Sequence, residues 1–167
     1  MTTDQGIGAS IDGGATIFEV NDGVEAVQVN DFSMHLSNKN VAWLASKSGI
    51  RKVSSYRSTP VWTPALFPNG DGSPYYAVAM AGTDTQKVYA GNLCVYRTRD
   101  GSASWRQFFS AENPPYNFNS MGTPSSGAAR IASLAVCPDD TSIVFAGYVI
   151  DGADEGGLFY SMDGGQT

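Results

Sequence analysis

Short apolar runs of about five residues, each cut off by a polar or glycine-containing turn, recur along most of this chain. Phe32–Leu36 is followed by the polar stretch Ser37–Asn40, then by Val41–Ala45, Gly49–Val53 and the pair Val61-Trp62. The same order returns as Tyr76–Met80, Lys87–Gly91, Leu93–Arg97 and Trp105–Phe109. It returns again as Ile131–Val136, Ile143–Gly147 and Gly157–Tyr160. Runs of this length, rich in Val, Ile and aromatic residues, predict strands; no apolar stretch has the period and length of a helix. The second strand of each unit closes on an alanine, Ala45, Ala90 and Ala146, which suggests an alignment of the units.

One turn is written three times: Ser10-Ile11-Asp12-Gly13-Gly14-Ala15-Thr16, Thr98-Arg99-Asp100-Gly101-Ser102-Ala103-Ser104 and Ser161-Met162-Asp163-Gly164-Gly165-Gln166-Thr167. An Asp carboxylate can accept hydrogen bonds from the N–H groups of its own turn, and the Gly after it supplies the positive φ such a turn needs. The Ser or Thr residues on either side can bond the same loop. Asp-Gly is also a preferred tight hairpin pair, so these aspartates are read as structural rather than as calcium ligands or catalysts. Trp105, just after the second copy, is expected to pack between sheets, with Ile17 in that place after the first. A degenerate hairpin is expected near Ser54–Thr59.

Four strands per unit and a period of about 45 residues predict the blades of a β-propeller. The expected fold is therefore all-β, with four-stranded antiparallel blades in an incomplete arc of about three to four. Residues 1–30 would end one blade, 31–74 and 75–129 would form two more, and 130–167 a blade lacking its last strand, all in one partial domain 1–167. The chain is expected to open at a third strand, Ile7–Ser10, with about thirteen strands in all. A propeller needs roughly four to eight blades to close, so the remainder of the propeller, or a neighbouring chain, is the expected partner.

The composition, 42% hydrophobic and 16% charged with 19 glycines and 8 prolines, fits a folded protein rich in turns. No segment approaches the ~18 apolar residues of a membrane span, so no membrane insertion is expected. Met1–Ser10 has no leader pattern, and an extracellular, surface or particle-associated location is the expectation. A net charge of −6 argues against a nucleic-acid partner. Lys39, Lys47, Arg51, Lys52 and Arg57 form a basic sector, read as a solvated blade surface. Cys94 and Cys137 sit in strand-like runs, as buried free thiols do. No cofactor motif and no metal-ligand set stands out.

The third copy of the turn resembles the Asp box, or bacterial neuraminidase repeat, Ser-x-Asp-x-Gly-x-Thr-Trp, up to the final Trp. Leu134–Asp140 followed by Val144-Phe145-Ala146-Gly147 is most similar to the strand–turn–strand of sortilin-type and xyloglucanase-type propellers. That resemblance implies a propeller without fixing an activity, since its members include sialidases, glucan hydrolases, sorting receptors and adhesins. The nearest string to the Arg-Ile-Pro motif of the sialidases is Trp62-Thr63-Pro64-Ala65-Leu66, without the arginine, so the catalytic set of that family is not identifiable. No catalytic residue carries over.

The chemistry left to place lies in two long connections expected on one face, opposite the Asp turns. Ser110–Gly127 holds Tyr116, Asn117, Phe118 and Asn119, and Val149–Gly156 holds Asp151, Asp154 and Glu155. Aromatics beside amides and carboxylates stack on sugar rings and bond hydroxyls, although long connections on a repeat scaffold are by default plain surface loops. Tyr116, Asn117, Phe118, Asn119, Asp151 and Asp154 are the ligand-binding candidates; Asp151, Asp154 and Glu155 are the only catalytic candidates, as an acid and nucleophile pair. His35 is read as a satisfied core or channel residue. The sequence favours a non-catalytic recognition segment for a glycan or protein ligand, with a glycoside hydrolase fragment or a structural subunit of a phage or surface assembly as alternatives.

Overall fold

A computed structural model describes residues 2–3, 6–19, 28–38, 40–70, 72, 74–111, 129–150 and 155–166. Among the described residues there are fourteen strands and no helix, hence no helix long and apolar enough to cross a membrane. The strands form four antiparallel sheets, each a simple meander. The first holds β1 (Thr2–Thr3), β2 (Gly6–Ala9) and β3 (Phe18–Glu19); the second holds β4 (Val29–Met34), β5 (Val41–Ser46), β6 (Gly49–Ser54) and β7 (Val61–Trp62). The third holds β8 (Ala77–Ala81), β9 (Asp84–Gly91), β10 (Cys94–Thr98) and β11 (Arg106–Ser110); the fourth holds β12 (Ala129–Val136), β13 (Val144–Ile150) and β14 (Glu155–Ser161).

The third sheet shows why the apolar runs are nearly continuous. Val78, Met80, Val88, Ala90, Cys94 and Tyr96 pack against Trp43, Ala45 and Ile50 of the second sheet. The alternate positions, Ala77, Tyr89 and Val95, pack against Ile131, Val144, Ala146 and Tyr148 of the fourth. A strand turns successive side chains to opposite faces, so a sheet buried on both sides needs apolar residues at every position. Sheets stacked in this way, each from a consecutive stretch of chain, are the blades of an incomplete β-propeller.

The first strands of successive blades lie side by side, and polar groups join them. Val78 N–H on β8 donates to Asp31 Oδ2 on β4 at 2.9 Å, and Met80 N–H donates to Ser33 Oγ at 3.0 Å. Asn30 Nδ2 donates to the Tyr75 carbonyl at 2.7 Å. The first two bonds satisfy amides on an edge strand that its own sheet leaves open, and the third satisfies a carbonyl just ahead of it. From the third to the fourth sheet the link is Ile131 N–H to the Asn92 carbonyl at 2.7 Å, made possible because Gly91 has no Cβ; one would lie 2.6 Å from Ile131 Cγ2.

Several expectations change. The first sheet contains a strand, β1, ahead of the expected opening strand. The alanine alignment holds for Ala90 and Ala146 but not for Ala45. Val41, Val88 and Val144 pair with Ser54, Thr98 and Ser161, so Trp43 stands where Ala90 and Ala146 stand. The basic sector is not one solvated face, because Arg51 is buried and bonds the Ser48 carbonyl and hydroxyl at 3.2 and 3.1 Å. Lys52 lies over the Trp43 ring, 5.7 Å from its centroid. Ile17 is exposed, whereas Trp105 packs edge-on to Trp43 with centroids 6.1 Å apart. Ile17 is smaller and has no such partner ring among the described residues. Cys94 is buried and Cys137 partly so, and neither forms a disulfide.

Candidate functional site

The three Asp-Gly turns build one local geometry at the ends of β2, β10 and β14. In the first, Ser10 Oγ donates to Asp12 Oδ1 at 2.7 Å and accepts Gly14 N–H at 2.8 Å. Asp12 then accepts Thr16 N–H at 2.9 Å and the Thr16 hydroxyl at 2.6 Å. In the second, Thr98 Oγ1 donates to Asp100 Oδ1 at 2.7 Å and accepts Ser102 N–H at 3.0 Å. Asp100 accepts Ser104 N–H at 2.9 Å and the Ser104 hydroxyl. In the third, Ser161 Oγ bonds Asp163 Oδ1 at 2.7 Å and Gly165 N–H at 2.8 Å, and Asp163 accepts Gln166 N–H at 2.7 Å. Thr167 lies outside the described residues. The Ser54–Thr59 hairpin has no Asp; Ser58 N–H closes it on the Ser55 carbonyl at 2.9 Å.

The electrostatics follow from that geometry. The Thr16 hydroxyl, then Thr16 N–H and the Ser10 hydroxyl, hold the Asp12 carboxyl far below the usual carboxylate range. The Ser104 hydroxyl and N–H, with Thr98, bring Asp100 down to about 2. Carboxylates this acidic, with their oxygens engaged by their own turns, cannot hold a proton for general acid chemistry at neutral pH. Their chemistry is to fix the turn.

The third turn also reaches across to the neighbouring blade. Tyr89 OH donates to the Gly164 carbonyl at 3.2 Å, and Arg97 Nη1 donates to the same oxygen. The Lys87 ammonium donates to the Thr141 carbonyl. Phe108 lies under Gly165, where a Cβ would come within 2.7 Å of the ring, and it packs edge-on to Tyr89 at 5.6 Å. Burial, followed by the neighbouring guanidiniums, lowers the pKa of Lys87; burial also lowers that of Arg97 and raises that of Tyr89. One blade therefore grips the Asp turn of the next by its glycine carbonyl.

The opposite rim carries the long connections. β11 ends at Ser110, which pairs with Cys94 at the start of β10, and β12 begins with Ala129 opposite Ile150 at the end of β13. The β13–β14 connection opens at Ile150 paired with Glu155. Both connections thus leave the strand ends away from the Asp turns. Tyr116, Asn117, Phe118, Asn119, Asp151 and Asp154 lie outside the described residues, and Glu155 is described only as the first residue of β14. Among the described residues no three His, Cys, Asp or Glu side chains come together as a metal site.

In the interior, Asp31 escaped the sequence reading and His35 departs from it in part. Asp31 is half-buried, and burial raises its carboxyl above the usual range while the Val78 and Phe32 amides pull the other way. Its signal was a carboxylate inside an apolar strand. His35 is buried, and its Nδ1 accepts Asn38 N–H at 2.7 Å and Ser37 N–H at 3.2 Å. That leaves the proton on Nε2, which is buried with no partner among the described residues, so His35 is a core residue but only half satisfied there.

No family model and no curated protein matches this chain. Solved structures do. A GH74 enzyme of Niastella koreensis superimposes with a TM-score of 0.61 at 20% identity, over 93% of this chain and 25% of that one. The GH74 xyloglucanase of Xanthomonas campestris gives 0.64 at 15% identity, over 99% of this chain and 25% of that one. YCF48 bound to a D1 peptide gives 0.50 at 16% identity, over 83% of this chain and 38% of that one. At these identities the likeness is one of fold, and the chain spans a quarter of the length of either GH74 enzyme.

Proposed function

We propose that this chain is a non-catalytic recognition segment of a larger propeller, with its ligand, a glycan or a protein, held on the rim of the long connections. The observation that carries the reading is the division of labour between the two rims. On one, the Asp turns spend their carboxylates on their own backbone; on the other, described strand ends launch the connections that carry Tyr116 to Asn119 and Asp151 to Glu155. The turns are taken as Asp boxes of the neuraminidase-repeat type, since their Ser/Thr, Asp and Gly positions perform the bonding that motif requires. A propeller completed by further blades, and an extracellular or surface location, belong to the same proposal.

A second reading, a fragment of a glycoside hydrolase, draws support from the likeness to GH74 enzymes over most of this chain. Its acid and nucleophile would come from Asp151, Asp154 or Glu155. Glycan-array binding and hydrolysis of β-glucans, measured on the chain and on Asp151→Asn and Asp154→Asn variants, separate the two. Binding without turnover supports recognition. Turnover lost on replacing either aspartate establishes the hydrolase. Neither binding nor turnover refutes a glycan ligand.

A further inference from the structure

We infer that the rim of the Asp turns binds a tetrahedral oxyanion, a sulfate or phosphate group, where Lys87, Arg97 and Arg99 of the third sheet converge on Gly164 of the fourth. The inference goes beyond the proposed recognition role and does not depend on what the long connections bind.

The repeat itself does not call for these cations. Val41, Val88 and Val144 pair with Ser54, Thr98 and Ser161, which fixes the equivalent positions of the three sheets. In that register Asn40 and Ile143 stand where the third sheet has Lys87, and Val53 and Tyr160 where it has Arg97. The middle position of the turn, Arg99, is Ile11 in the first copy and Met162 in the third. Three positive charges therefore enter one junction at positions where the same fold accepts neutral side chains. Two of them are braced by rings: Lys87 Nζ lies 5.9 Å from the Tyr89 centroid, and the Arg97 guanidinium lies 5.8 Å from that of Phe108.

Their donors gather over one glycine. A Cβ on Gly164 would lie 3.2 Å from Lys87 Nζ and 3.7 Å from both Arg99 Nη2 and Tyr89 OH, so the three atoms nearest that point are all side-chain donor atoms. Arg97 donates to the carbonyl of the same glycine. Much of this capacity is unspent: the Lys87 ammonium has three N–H groups and gives one to the Thr141 carbonyl, while Arg99 has five and makes no hydrogen bond to a described residue. The local field is positive. Arg97 pairs directly with Arg106 across β10 and β11, and like charges so placed repel. The guanidiniums of Arg99 and Arg97 act on Lys87 more strongly than the carboxylates of Asp84 and Asp140, which accept from their own loops, Gln86 N–H and Ser142 N–H, each at 2.9 Å. An oxyanion relieves that repulsion and offers several acceptors to donors arriving from different directions. Holding the neighbouring carbonyls accounts for Lys87 and Arg97; only an anion gives Arg99 a task.

Amide chemical-shift titration of the full chain tests this, with ionic strength held constant by sodium chloride. Inorganic sulfate should shift the Arg99, Gly164 and Gly165 amides saturably, with a Kd of about 1 mM. Arg99→Gln, which removes a charge from an exposed turn position, should weaken that binding by about 10-fold while its sulfate-free spectrum matches wild type away from the turn. Arg57→Gln, at an exposed arginine of the second sheet's hairpin, should leave the binding unchanged. A heparin tetrasaccharide titrated in the same way tells the source of the oxyanion: tighter binding at the same amides assigns the site to a sulfated glycan, and binding no tighter than sulfate assigns it to the free ion. Shifts that do not saturate, that fall on other amides, or that are indifferent to Arg99→Gln overturn the inference.

Discussion

Trp105, just past the second Asp turn, stands edge-on to Trp43 on β5 with ring centroids 6.1 Å apart. The turn thus sets not only a hairpin but the position of a ring in the core between two blades. Replacing Trp105 by Ala removes that ring and should cost about 3 kcal/mol of stability. Ile17, its counterpart after the first turn, is exposed, and Ile17→Ala should shift stability by no more than about 0.5 kcal/mol. Urea denaturation of the two variants checks the contrast; equal costs would mean that the ring contact contributes nothing.

Ser102 holds φ at 93°, where the other two turns place Gly14 and Gly165. A side chain there strains the backbone by about 1–2 kcal/mol, and glycine relieves this at an unfolded-state entropy cost of about 0.4–1 kcal/mol. The Ser102 N–H bond to Thr98 Oγ1 at 3.0 Å involves only backbone on its donor side and survives the change. Ser102→Gly should therefore stabilise the protein by about 0.5–1 kcal/mol, net of the two effects. A lower melting temperature in calorimetry would contradict the strained turn.

Acid should act on two kinds of aspartate with opposite sign. Asp100, at about 2 against its ordinary 3.8, and Asp12, lower still, bind fewer protons folded than unfolded. Their stabilisation is complete above the ordinary value and is lost as pH falls from about 4 to about 2. Asp31 is raised by burial, so it holds its proton longer in the folded state, and its contribution falls as pH climbs above 3.8 toward the raised value. Melting temperatures across this range should fall less steeply toward low pH in the Asp12→Asn, Asp100→Asn double variant than in wild type. An unchanged profile would contradict the bonded carboxylates.

Much of the architecture was legible because a repeated turn and a repeated order of apolar runs report the same period. What failed to show was whatever depends on a neighbour. The Thr2-Thr3 strand has no apolar pattern and owes its place to pairing with Gly6-Ile7. Arg51 reads as a surface cation until its guanidinium folds back on Ser48. Ala45 matched Ala90 in composition, yet strand pairing moved the register so that Trp43 took that position. The rim candidates, Tyr116 to Asn119 with Asp151 and Asp154, were legible as chemistry; their geometry lies outside the described residues.

The radial stacking of blades stands most directly on Asp31 and Ser33, which reach from one first strand to amides on the next. Amide hydrogen exchange at Val78 and Met80 reads those bonds one by one. Both amides should be slow in the wild-type protein, with Asp31→Ala accelerating Val78 and Ser33→Ala accelerating Met80, each while the Tyr89 and Val95 amides keep their rates. Fast exchange at Val78 and Met80 in the wild type, or rates indifferent to both substitutions, would contradict the side-by-side first strands and the propeller arc built on them.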